Sequence, residues 1–145
     1  MQQLTFSRIT HNSPEYFPTV LLRYAVLRKP LGLVFTSEQL SEEHNEIHLR
    51  GLLDSTLVCC LQLRPIDNHT VQMRQVAVDE SYQSKGIGRA LVEYCEQVAR
   101  DEQFTEIILH ARETAVAFYL KLGYEVYGEP FIEVGIPHRN MRKFI

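Results

Sequence analysis

The sequence predicts one α/β domain, residues 1–145, organised around a mixed sheet. Three observations predict it. Short apolar segments bounded by turn residues recur along the chain at strand length. A long helical stripe starts at Gly86. Between Val71 and Tyr127 the order is strand, helix, strand, helix, strand, which makes consecutive βα units.

The elements follow in order. Leu4, Phe6 and Ile9 alternate with polar residues, as a short first strand requires. Pro14 and Pro18 sit where a helix begins, since an N-terminal proline gives up no helical hydrogen bond. Val20 to Leu27 is apolar enough to pack on a sheet, and Pro30 and Gly32 end it. A short polar helix is predicted from Ser37 to His44. Ile47 to Leu53 and Thr56 to Leu63 form a hairpin about Asp54-Ser55.

The next strand, Val71 to Val78, carries an irregularity. Val71 and Met73 share one parity, whereas Val76 and Val78 share the other. A strand alternates faces with period two, so the apolar face slips by one residue around Arg74-Gln75. A β-bulge there explains the slip, although Val76 to Val78 buried on both faces would read the same. Ile87, Ala90, Leu91, Tyr94, Cys95, Val98 and Ala99 then form one helical stripe, with Arg89, Glu93, Glu96, Gln97, Arg100 and Asp101 opposite. Glu106 to His110 is a fifth strand, and Thr114 to Leu122 a mostly apolar helix stopped by Gly123. Tyr124 to Tyr127 starts a sixth strand, and Arg139 to Ile145 suits a seventh.

Composition narrows the function. Hydrophobic residues make up 45% and charged residues 23%, values typical of a globular domain and not of a disordered one. A net charge of -3 counts against wrapping nucleic acid by bulk charge. No apolar run reaches the roughly 20 residues that span a bilayer. The first residues, Met1 to Ser7, lack the basic and apolar regions of a signal peptide, so a cytoplasmic chain is expected. Cys59, Cys60 and Cys95 cannot complete a disulfide set and lack zinc-site spacing, and no metal is expected.

Chemistry concentrates between the fourth strand and the long helix. Gln83-Ser84-Lys85-Gly86-Ile87-Gly88-Arg89-Ala90 joins them through two glycines. Glycine lets a backbone turn tightly, and a helix N-terminus offers free N–H groups to a phosphate. The P-loop pattern is missing, and Leu91 occupies the third glycine position of a dinucleotide fingerprint. A nicotinamide or flavin domain is therefore disfavoured. What remains is Q/R-x-x-G-x-G/A, matched by Gln83, Gly86 and Gly88.

With that motif on a strand-to-helix turn, the chain resembles the GNAT superfamily of acyl-CoA-dependent N-acetyltransferases. Ala115-Val116-Ala117-Phe118-Tyr119-Leu120-Lys121-Leu122-Gly123-Tyr124 is similar to the family's A-x-x-F-Y-x-K-x-G-F/Y segment, in the right order after the first motif. Phe131-Ile132-Glu133-Val134-Gly135-Ile136-Pro137-His138-Arg139-Asn140-Met141 resembles the tail of an ElaA-like branch. One departure stands out: many relatives have asparagine seven residues before the tyrosine, and this chain has Arg112.

The resemblance implies a mixed, mostly antiparallel sheet of six to seven strands, flanked by about four helices and splayed between strands four and five. It implies an N-acetyltransferase that uses acetyl-CoA, with a small-molecule or peptide amine as acceptor, no nucleic-acid or membrane partner, and room for a homodimer through the late strands. Val76, Ala77 and Val78 would bond the pantetheine arm through their backbones. Gln83, Ser84, Lys85, Gly86, Ile87, Gly88, Arg89 and Ala90 would hold the pyrophosphate, and Lys121 is included among the CoA-binding residues. Tyr119 would be the general acid at the sulfur, help that is typically worth about 10²- to 10⁴-fold. Glu133 and His138 are the leading substrate-binding or base residues, with His110 a third. Glu38, Glu42, Glu43 and Glu133 read as a solvated acidic face ahead of an amine attractor. A catalytically weak CoA-binding sensor is the alternative: Tyr119 argues against it and Arg112 weakly for it.

Overall fold

The computed structural model describes residues 2–145. The chain runs β1 (Leu4–Ile9), α1 (Tyr16–Arg23), α2 (Ser37–Ser41), β2 (Ile47–Leu53), β3 (Thr56–Pro65), β4 (Thr70–Val78), α3 (Ile87–Asp101), β5 (Glu106–Arg112), α4 (Val116–Lys121), β6 (Glu125–Glu133) and β7 (Ile136–Phe144). The seven strands form one sheet in the order β1-β2-β3-β4-β5-β7-β6. Every pairing is antiparallel except β4 with β5. This is the mixed sheet that the resemblance implies.

Helices cover both faces, and the parity of β3 shows how. Cys59, Leu61 and Leu63 join the main core with Leu91, Val92, Cys95 and Ala99 of α3. Cys60 turns the other way, to Leu22 of α1 and Ala77 of β4. Period-two alternation in a strand buried on both faces produces this division.

The expected bulge is present. Cys60 pairs with Ala77 but Gln62 pairs with Arg74, so β4 spends one residue more than β3 over this stretch. Gln75 takes up the extra length in a left-handed conformation, φ 54°. Met73 consequently faces the α3 side and Ala77 the α1 side, although their separation of four would otherwise put them on one face. Beyond the bulge β4 also leaves its other neighbour. Its parallel pairing with β5 runs from Thr70–Glu106 to Met73–Leu109 and ends there, while both strands continue.

Several boundaries and faces differ from expectation. The first helix starts earlier, at Tyr16, and after Arg23 widens into a π turn over Tyr24–Arg28. β6 extends to Glu133 and β7 begins at Ile136, not Arg139, because a tight turn through Val134 and Gly135 closes a hairpin that Pro137 does not interrupt. On α3 the buried stripe is rotated: Val92 and Glu96 are buried, while Ala90, Tyr94 and Val98 are only partly so. Glu96 tolerates burial because Tyr124 donates its hydroxyl at 2.9 Å and Lys143 donates Nζ at 3.1 Å. Phe118 of the mostly apolar helix α4 is 37% exposed and lies over Gly88.

Candidate active site

Where β4 and β5 part, a cleft of about 580 Å³ opens. The bulged end of β4 supplies Arg74, Gln75 and Val76, and β5 supplies His110, Ala111 and Arg112. Tyr119 of α4, Glu133 at the end of β6 and His138 of β7 line the same space. The π turn after α1 closes it with Leu27 and Arg28. Residues that are far apart in the chain thus meet at one break in the sheet.

Tyr119 is buried, and desolvation, with the nearby Cys95 thiol second, pushes its hydroxyl above the ordinary phenol range. It therefore holds its proton throughout the neutral range. Its ring meets Phe118 and Tyr124 edge-on at 5.0 and 5.7 Å, which fixes its orientation.

Opposite lies a His110–Glu133–His138 constellation. His110 Nδ1 is 3.0 Å from Glu133 Oε1. A carboxylate only accepts, so Nδ1 carries the proton and Nε2 keeps a lone pair. His138 is buried, and its Nδ1 donates to the Ile136 carbonyl at 2.8 Å. Its Nε2 therefore faces Glu133 Oε2, at 3.6 Å. The Phe131 ring packs against both imidazoles. The β6–β7 hairpin carries Glu133 and His138, and antiparallel pairing of β7 with β5 brings His138 opposite Arg112.

The other expected residues lie outside the lining of this cleft. Ala77 is buried under α1, and Val78 gives its carbonyl to Gln83 Nε2 at 3.0 Å. Ser84 and Gly86 have positive φ, 64° and 80°, so the chain turns sharply into α3. That helix has no side-chain N-cap and no acidic residue in its first turn, while Ala90 N–H is already bonded to the Gly86 carbonyl. Lys85 rests near the Tyr82 ring, and Arg89 pairs with Glu93 on the exposed face. Lys121 lines a separate hollow of about 280 Å³ with Arg89, Glu96 and Lys143, apart from Tyr119. Among the described residues no group of three His, Cys, Asp or Glu is placed to hold a metal, and no helix is long and apolar enough to cross a membrane.

Sequence reading did not find the arginines. Arg28, Arg64, Arg74 and Arg112 all line the cleft. Arg112, noted only as a departure from relatives, donates Nη2 to the Leu27 carbonyl at 3.3 Å. The one local signal was the bulge, which marks Arg74 and Gln75 as aimed at something.

The acetyltransferase (GNAT) family model matches residues 9–124. A Bacillus subtilis (strain 168) protein named as a candidate acetyltransferase is 30% identical over 121 residues, 76% of this chain and 82% of its own. The uncharacterised YyaT of the same organism is 34% identical over 80 residues, and the match spans 55% of this chain and 54% of that protein's length. Among solved structures, Escherichia coli ElaA is 21% identical with a TM-score of 0.79, covering 97% of this chain and 99% of its own. A GNAT family acetyltransferase from Elizabethkingia anophelis, solved with acetyl-CoA bound, has a TM-score of 0.76 at 18% identity, covering 98% of both chains. With the splayed β4–β5 cleft, the glycine turn into α3 and the full-length likeness of fold, the chain belongs to the acetyltransferase (GNAT) family.

Proposed function

We propose that the chain transfers an acetyl group from acetyl-CoA to a primary amine, by direct attack of the amine on the thioester while both substrates are bound. The observation that carries this reading is the convergence of Tyr119 and the His110–Glu133–His138 constellation on the gap where β5 leaves β4. The acetyl-CoA bound in the Elizabethkingia neighbour supports the co-substrate.

The chain's own groups fit that substrate. Past Met73 the β4 edge toward β5 has no strand partner, so backbone groups of Val76 and Ala77 can pair with an extended amide arm as a further strand would. Val78 contributes less, its carbonyl being held by Gln83. Gln75 Oε1 is buried without a partner among the described residues, and an N–H of bound substrate satisfies it. The amides from Ser84 to Arg89 take the pyrophosphate at the uncapped helix start, where Lys85 and Arg89 supply positive charge. Lys121, with Arg89, serves the outer, nucleotide end.

In the reaction His110 Nε2 accepts the ammonium proton, and Glu133 stabilises the imidazolium through Nδ1. The freed amine nitrogen bonds to the acetyl carbon, the C–S bond breaks as the Tyr119 hydroxyl delivers its proton to the leaving sulfur, and the second proton of the amine nitrogen, shed as the neutral amide forms, returns to the Tyr119 oxygen. An acetyl-cysteine route lacks a nucleophile: burial pushes the Cys59 and Cys60 thiols up to about 12 and raises Cys95 as well. The test is release of free thiol from acetyl-CoA across a broad amine panel. Turnover with at least one amine is expected, and Glu133→Gln lowers kcat by about 10-fold or more without losing CoA binding. CoA binding with no thiol release from any amine would replace this reading with the sensor.

A further inference from the structure

The acceptor side of the cleft carries an unexpected charge. Arg28, Arg64, Arg74 and Arg112 line it. Glu46 lies buried beneath and answers two of them, Arg74 at 2.8 Å and Arg64 at 3.6 Å. Glu43, which the sequence places on a solvated acidic face, is instead buried in a pair with Arg23. Glu38 and Glu42 point to solvent away from this lining. Among the described residues the only carboxylate left in the cleft wall is Glu133, and it is hydrogen-bonded to His110 on the opposite side.

Arg28 is the least compensated of the four. The ion pairs on this side go to Arg23, Arg64 and Arg74, and Arg28 is in none of them. Its guanidinium stands 4.6 Å from the centroid of the Phe35 ring, which also takes Arg23 at 4.6 Å. Burial, then the charges of Arg23, Arg74 and Arg112, pull Arg28 below the usual arginine range. Arg112 is held beside it, since its hydrogen bond goes to Leu27, the preceding residue. A guanidinium set against the Phe35 ring, with three arginine charges that outweigh Glu43 and no ion pair among the described residues, is matched by a planar or tetrahedral oxoanion, which its fork of N–H donors binds bidentately.

We propose that this wall is an oxoanion subsite, and that the acceptor is a primary amine whose other end is a carboxylate or phosphate bound by Arg28 with Arg112 and Arg74. The proposal rests on reading the cleft as an acetyl-transfer site, and it names the substrate class for that site. The amine end then lies toward His110 and Glu133, the anionic end toward the π turn. A purely cationic polyamine is disfavoured, because each additional ammonium meets an arginine.

The experiment compares matched acceptors by thiol release from acetyl-CoA: glycine, β-alanine, γ-aminobutyrate and lysine, each against its carboxamide, and ethanolamine phosphate against ethanolamine. For at least one pair, the anionic member exceeds its neutral partner by about tenfold or more in kcat/KM, the worth of one charged hydrogen bond. The carboxylate and phosphate pairs tell the two sources of the oxoanion apart. Arg28→Gln brings the ratio close to one, while Arg28→Lys keeps part of it. Arg28 supports no ion pair, so both variants retain the fold. Neutral members as fast as anionic ones overturn the proposal and leave acetyl transfer standing. If no acceptor turns over, calorimetric titration of N-acetyl-β-alanine and its amide in the presence of CoA decides. Tighter binding of the acid, lost in Arg28→Gln, upholds the subsite without the reaction; equal binding overturns it.

Discussion

In the proposed reaction Tyr119 and His110 would divide the proton transfers between a group that keeps its proton and a group that offers a lone pair. Burial makes the first possible. In water a phenol titrates near 10, and desolvation at Tyr119 moves that higher, so the hydroxyl keeps its proton through the neutral range. Tyr119→Phe should therefore slow thiol release by about 10²- to 10⁴-fold at neutral pH, with CoA affinity changed little, as read by single-turnover kinetics and CoA titration. An unchanged rate removes Tyr119 from the chemistry. Tyr119 was legible in sequence because it sits inside a motif. The pairing of His110 with Glu133 was not, since 23 residues separate them and only the β5–β7–β6 pairing brings them together. Arg28 and Arg74 were hidden for the same reason. An arginine in a sequence looks alike whether it is solvated or aimed into a cleft.

Among the elements, the bulge in β4 organises the site. It turns Val76 and Val78 to the α3 face, turns Arg74 and Gln75 toward the cleft, and precedes the loss of pairing with β5. The parity slip announced it, because a period-two pattern cannot change phase without an extra residue. Its cost is local: a non-glycine residue at φ 54° is strained by roughly 1–2 kcal/mol. Gln75→Gly should relieve part of this and raise stability by about 1 kcal/mol in urea denaturation, offset in part by glycine's unfolded-state entropy. The same variant should weaken acetyl-CoA binding, since it removes a buried amide oxygen that substrate would satisfy. Unchanged affinity would limit Gln75 to shaping the strand. The rotated stripe of α3 has a different origin. Periodicity located the helix, but Glu96 is drawn inward by Tyr124 and Lys143, which belong to elements after the helix.

At the scale of the molecule, stability is tied to a buried polar network between α1 and the sheet. Arg23 is fully buried and gives Nη1 to Glu43 at 2.9 Å, and Tyr16 gives its hydroxyl to the same carboxylate at 2.7 Å. Buried His48 bonds the Glu43 carbonyl at 2.9 Å. Arg23→Met leaves the carboxylate buried without its cation, and should cost about 3–5 kcal/mol in chemical denaturation. Burial alone would raise Glu43, but hydrogen bonds and charge from Arg23 outweigh it and hold the carboxyl below its ordinary value of 4.5. Burial lowers His48 below 6.5. Both groups titrate lower when folded than when unfolded, so their contributions are full at neutral pH and are lost on acidification. The loss begins below 6.5 with His48 and deepens below 4.5 with Glu43. Cys59 and Cys60 act oppositely: raised from 9.0 to about 12, they contribute below 9.0 and cease to as pH rises toward 12. The urea midpoint should stay level between about pH 7 and 9 and fall on both sides. A midpoint that rises on acidification would refute the assignment.

Sequence by itself determined the class of fold, the order of its strands and helices, the glycine turn into α3, the slip in β4 and the motif that holds Tyr119. Each is encoded in neighbouring residues, through periodicity, turn chemistry or a short motif, and so needs no knowledge of distant contacts. Only the tertiary structure decided which charges are solvated and which are buried, that Glu43 belongs to Arg23 and Glu96 to Lys143, and that four arginines share one cleft wall. Charge acts through space at a few ångströms and depends on burial, and neither quantity is written in the order of residues. The net charge of -3 describes the whole chain, whereas four arginines and one glutamate line the cleft.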